Sequence, residues 1–150
     1  MTPLLLAIPL LLAAPVPKDF KPALALDGQW KVTEFERNGK PASHFQELWR
    51  IDGDCQTITH AAAPNLQPRR QKLRIDLKAK PMEFDYTFEV NRRTYSVSGV
   101  IAGQGDDFVV CFPLFADRQR PDNLVGGEGT LRYTLTRVKD KPPAAPEDRR

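Results

Sequence analysis

The sequence predicts an all-β protein, an antiparallel up-and-down barrel of about eight strands, on three observations. Between residues 27 and 139 apolar residues recur with a period of two. Phe84, Tyr86, Phe88 and Val90 alternate with Glu83, Asp85, Thr87 and Glu89, as a strand with one packed and one wet face requires. Turn signals punctuate these runs at hairpin spacing, at Asn38-Gly39, Asp52-Gly53-Asp54, Asn91-Arg92 and Gly103-Gln104-Gly105-Asp106. Gly, Asn and Asp tolerate the positive φ of tight turns. Finally, Gly28-Gln29-Trp30 opens the first strand pattern and Arg137 ends the last, so a glycine, an indole and a distant arginine can lock one end of a closed barrel.

The elements follow in order. Thr2 to Ala14 is rich in Leu, Ala and Pro and carries no side-chain charge. It is too short to span a bilayer and fits the apolar part of a secretory signal over residues 1–17. No Lys or Arg precedes it and Pro15 follows Ala13-Ala14, while Ala23-Leu24-Ala25 has the small-x-small form but lies beyond Lys18, Asp19 and Lys21. The cleavage position stays open, and an uncleaved apolar segment packing as a helix is the alternative. The expectation is export to the periplasm or cell envelope, where a Cys55–Cys111 disulfide is chemically allowed, although sequence separation leaves the pairing open.

Strands are predicted near 28–37, 46–52, 55–60, 71–78, 83–90, 94–102, 107–113 and 129–138. Leu73, Ile75 and Leu77 alternate with Arg74, Asp76 and Lys78, and Leu131, Tyr133 and Leu135 with Arg132, Thr134 and Thr136. Residues 41–46 have room for one helical turn, and 61–70 and 114–127 read as loops. Residues 140–150 combine prolines with charges and read as a solvated tail after a single domain over 26–139.

At 150 residues, 41% hydrophobic, the chain can bury one core. A net charge of +3, with basic residues dispersed among nearly as many acids, does not imply nucleic acid. His44 and His60 belong to no metal motif and read as solvent-exposed. Ser43, Ser96 and Ser98 sit in no nucleophile elbow. Glu83, Asp85 and Glu89 could form an acid–base pair, but their alternation with aromatics reads as a solvated outer face. Neither a metal, nor a cofactor, nor an enzyme activity is implied. Arg69-Arg70 and Arg92-Arg93 read as an exposed loop and a hairpin tip, and Arg118, Arg120 and Asp122 lie in the long loop before the last strand, where they could rim an opening.

Leu26-Asp27-Gly28-Gln29-Trp30-Lys31-Val32, followed by Glu36-Arg37-Asn38-Gly39-Lys40-Pro41, resembles the opening of a lipocalin-like family of exported bacterial proteins, of planctomycete type, without an assigned function. Lys80-Pro81-Met82-Glu83-Phe84-Asp85, Gly99-Val100-Ile101, Val110-Cys111-Phe112, Arg120-Pro121 and Leu135-Thr136-Arg137 follow in that family's order, so the resemblance covers most of 26–138. The Gly-x-Trp element also resembles the signature of lipocalins themselves. That likeness implies that Trp30 packs at the closed end with Arg137 lying across it. The loops here are shorter and no middle signature is present, so a conventional lipocalin pocket is not implied.

The inward set is predicted from Phe84, Tyr86, Phe88, Tyr95, Val97, Phe108, Phe112 and Tyr133, which serve a solid core or a small pocket equally well. The leading functional expectation is a non-enzymatic module for a small apolar or amphipathic molecule. Tyr86, Phe88, Tyr95 and Phe112 would contact it, and Arg118 and Arg120 would orient an anionic head. The rival is a protein-interaction or envelope-scaffold domain with a filled barrel. Neither reading requires a membrane-spanning segment.

Overall fold

A computed structural model describes residues 25–44 and 46–139, so the expected signal over 1–17 and tail over 140–150 lie outside the described residues. The strands are β1 (Gly28–Arg37), β2 (Lys40–Pro41), β3 (Glu47–Asp52), β4 (Cys55–His60), β5 (Arg69–Asp76), β6 (Glu83–Val90), β7 (Arg93–Gln104), β8 (Asp107–Pro113) and β9 (Thr130–Arg137). Every pairing is antiparallel, and consecutive strands neighbour one another except that β2 flanks β1, which pairs with β3. Pairing of β1 with β9, from Trp30 with Arg137 to Arg37 with Leu131, closes the sheet into an up-and-down barrel of eight long strands. Closure removes the exposed strand edges that an open sheet would leave.

The predicted strands agree with this order, with local differences. β5 begins at Arg69 rather than 71 and ends at Asp76, which leaves Leu77 exposed in a turn instead of facing inward. Arg69 and Arg70 are therefore strand residues, not loop. The single helical turn expected over 41–46 is not formed by the described residues there. Pro41 pairs with Glu36 in β2, and Ala42 N donates to Phe35 O at 2.8 Å. A β-bulge between Val32 and Glu34 shifts the register of β1. Trp30 and Val32 thus face inward on even positions, while Phe35, on an odd one, stacks on Tyr133 with centroids 4.6 Å apart.

The core is layered along the barrel axis. At the base, where β1 starts and β9 ends, Trp30 meets the edge of Phe108 at 4.6 Å and donates from Nε1 to Leu26 O at 2.7 Å. Arg137 caps this layer, its guanidinium carbon 4.2 Å from the indole centroid. It donates to Asp27 O and Ala25 O and pairs with Asp106 at 3.3 Å. The arrangement predicted for Trp30 and Arg137 is therefore present, and the structure explains its glycine. Gly28 has φ +126°, and a β-carbon there would lie 2.6 Å from Nη1 of Arg137. Above this layer Trp49, Phe84, Val97 and Val110 fill the middle of the barrel.

Candidate functional site

The opposite end, the mouth, is where β3 begins, β4 ends and β5 begins, and it receives the connections over 61–68, 91–92 and 114–129. Strand alternation carries the inward aromatics up to it. Phe112 meets Tyr86 edge-on at 5.0 Å, Tyr86 neighbours Phe88 at 6.0 Å, and Phe88 stacks on Tyr95 at 5.5 Å. Phe112 is buried, whereas Tyr86, Phe88 and Tyr95 are half-buried. These four predicted contact residues form one continuous wall, from the core to the rim. Gly99, inward on β7, makes room for it, since a β-carbon there would lie 2.4 Å from Cδ1 of Phe112.

Facing this wall is a polar group that the sequence reading missed. Gln56 and Gln71, partners across β4 and β5, are 1% and 5% exposed, and the Oε1 atom of each is buried without a hydrogen-bond partner. They border a small, half-open pocket of about 10 Å³ together with Trp49, Tyr86, Phe112 and Tyr133. Arg69 lies on its border too, and buried Glu47 accepts a 3.0 Å hydrogen bond from Trp49 Nε1. Parity was the available signal: Gln71 shares its face with Leu73 and Ile75, and Gln56 with Ile58. Each unpaired buried amide oxygen costs roughly 1–3 kcal/mol, so the pair is a marked exception to ordinary polar satisfaction.

Burial holds the Tyr86 phenol above the ordinary value, with Arg69 lowering and Glu47 raising it less. Tyr133 is also raised, by burial first and then by Glu47 and Tyr86, against a smaller lowering by Arg69. For a phenol raised on folding, the stabilisation is complete below the unfolded value near 10.0 and is lost as pH rises through the folded one. Thermal melting followed against pH should therefore fall above about pH 10, and Tyr133→Phe should flatten that fall. An equally steep decline in the Tyr133→Phe protein would exclude this cause.

Of the two arginines expected at the rim, Arg120 lies elsewhere. Arg120 is folded against the outer wall of β6 and β7, where it donates to both Asp85 carboxylate oxygens at 2.7 and 3.0 Å and to Gly99 O at 2.7 Å, and it pairs with Glu83 at 3.3 Å. Arg118 is exposed and borders a surface groove of about 400 Å³ with Phe115, Pro113 and Thr130, at the mouth ends of β8 and β9. The outer face carrying Glu83 and Asp85 is accordingly not freely solvated, because the 114–129 connection lies over it. The Arg120 and Asp85 side chains are only 24% and 15% exposed. Arg120→Met should cost about 1–3 kcal/mol in urea unfolding, between the values for surface and fully buried pairs. A cost below about 0.5 kcal/mol would show the contact to be an ordinary surface pair.

His44 and His60 are not solvent-exposed as expected. Both are half-buried beside Glu47, and their Nδ1 atoms are buried without a partner. Cys55 and Cys111 are free; Cys111 is buried, which raises its thiol pKa. Among the described residues no group of three or more His, Cys, Asp or Glu side chains is placed to hold a metal ion, and no helix is long and apolar enough to cross a membrane. Comparison of the chain with family models, curated proteins and solved structures finds no match.

Proposed function

We propose that the protein is a non-enzymatic binding module that takes a small amphipathic molecule at the barrel mouth, against the Tyr86–Phe88–Tyr95 wall. The carrying observation is the gradient along the aromatic ladder: rings are wholly buried at the base and only half-buried at the rim, where an apolar tail gains most by covering them. The likeness to a lipocalin-like exported family and the apolar N-terminal segment support placing this activity in the periplasm or envelope. A second reading, an interaction domain with a filled barrel, is favoured by the pocket of only about 10 Å³, against the hundreds of Å³ of an ordinary ligand pocket. It is also favoured by exposed Leu66, Val90 and Phe115 on or beside mouth connections.

Titration with medium-chain amphiphiles, followed by tryptophan fluorescence in a Trp30→Phe background and in the parent protein, separates the two readings. The mouth reading expects saturable binding that weakens at least tenfold in Phe88→Ala/Tyr95→Ala, at little cost to melting because both rings are half-exposed. If no amphiphile binds the parent protein and a protein partner is captured instead through Phe115, the interaction reading replaces it.

A further inference from the structure

We propose that the barrel mouth docks on an anionic lipid surface, through exposed apolar residues on its connections and the unpaired arginines that follow them. The proposal goes beyond the mouth-binding reading and does not require the mouth to hold a ligand.

Five large apolar residues are exposed among the described residues, and four of them lie at this end of the barrel. Leu66 is on the β4–β5 connection, Val90 is the last residue of β6, and Phe115 and Val125 are on the β8–β9 connection, with exposures of 54%, 46%, 61% and 77%. Leu77, just after β5, is the one at the base. Neighbouring strands are about 4.8 Å apart, so these three connections, two strands from one another, stand roughly 10 Å apart round the rim. Separate apolar tips enter a fluid acyl layer one by one, whereas a protein partner is ordinarily held by a contiguous patch.

Unpaired arginines follow the tips. Arg69 and Arg70 come after Leu66, Arg92 and Arg93 after Val90, and Arg118 after Phe115. All five are exposed, and none makes an ion pair among the described residues. On the walls and at the base, Arg74, Arg120, Arg132 and Arg137 each have a carboxylate partner. Arg50 on β3 is also unpaired, but neither its strand nor β4 carries an exposed large apolar residue. Charge along the barrel axis has the same sense. The base turns at 52–55 and 104–107 carry only acidic charge, in Asp52, Asp54, Asp106 and Asp107, while the 77–82 connection carries Lys78 and Lys80. At the mouth, Arg37 and Lys40 beside the β1–β2 turn join the arginines, and cations there outnumber the exposed Glu89, Asp117, Asp122 and Glu128. An anionic surface therefore attracts the mouth and repels the acidic turns, which aims the apolar tips at the lipid.

The test sediments the full chain with vesicles of phosphatidylcholine alone, or with about a quarter phosphatidylglycerol. Binding should favour the anionic vesicles at least tenfold. It should fall between about 0.1 M and about 1 M salt, where the screening length shrinks from about 10 Å to about 3 Å. Arg92→Glu/Arg93→Glu should remove most of the preference for anionic vesicles, and Leu66→Ser/Phe115→Ser should weaken binding to them by roughly fivefold or more. These side chains are exposed, so both variants should melt as the parent does. Leu77→Ser, the matched change at the base, should bind like the parent. Equal binding by the parent and both mouth variants, as the apolar N-terminal segment alone would give, would overturn the proposal. Equal affinity for the two kinds of vesicle would overturn it too. So would binding to neither, which would leave the apolar tips to a protein partner. The assay contains no added amphiphile, so its failure leaves the mouth-binding titration to be judged by its own result.

Discussion

Trp30→Ala is expected to leave the protein largely unfolded at room temperature. The indole is fully buried, meets Phe108 at 4.6 Å, lies under the Arg137 guanidinium and supplies the only hydrogen bond to Leu26 O seen among the described side chains. A buried tryptophan replaced by alanine costs about 3–5 kcal/mol through lost transfer energy and the cavity left behind. The unpaired Leu26 carbonyl and the loss of the surface beneath Arg137 add to that cost. Domains of this size are stable by only about 5–15 kcal/mol, so the sum reaches the threshold. Urea unfolding followed by circular dichroism measures it. Trp30→Phe, which keeps ring area but loses the Nε1 donor, should fall between the two. An alanine variant melting within a few degrees of the parent would mean that the base is not what closes the barrel.

The second large effect is expected from Gly99→Val. A β-carbon at Gly99 would lie 2.4 and 2.6 Å from Cδ1 and Cε1 of Phe112 and 2.8 Å from the carbonyl oxygen of Cys111. Phe112 has nowhere to go. It is hemmed by Tyr86 at 5.0 Å, Phe84 at 5.8 Å and Tyr133 at 6.4 Å. The backbone is held as well, since Gly99 sits opposite Phe84 in β6 and its carbonyl accepts from Arg120. Overpacking ordinarily costs about 1–3 kcal/mol, and a clash with both ring and backbone belongs at or above the top of that range. Adding Phe112→Leu should recover part of the loss, because it relieves the ring contact but not the carbonyl contact. A double-mutant cycle on urea midpoints reads this directly. Additive costs would show that the ring is not the obstacle.

Both effects depend on features that differ in how far they could be read from the chain. The strands could be read because alternation is a local property: Phe84, Tyr86 and Phe88 against Glu83, Asp85 and Thr87 state one packed face without reference to any partner. The pairing of Trp30 with Arg137 could be anticipated because in an up-and-down barrel the first and last strands must meet. The inward aromatic wall followed from the same parity.

What parity alone could not decide was whether a polar residue on the packed face is in fact buried. Gln56 and Gln71 belong to it by position, but an amide is ordinarily solvated, so composition argued the other way until closure of the barrel buried both. The path of the 114–129 connection was equally out of reach. Arg120 lies thirty-five residues from Asp85, and only the folded wall of β6 and β7 brings the carboxylates and the Gly99 carbonyl together where a guanidinium can satisfy them. The bulge in β1 likewise moved Phe35 inward against its parity, to reach Tyr133. The sequence alone thus determined the strands, their order and the closed base, because neighbouring residues encode a strand's two faces. The burial of the Gln56–Gln71 pair and the arginine on the outer wall were decided only by tertiary structure, because burial and charge pairing depend on what distant strands bring alongside.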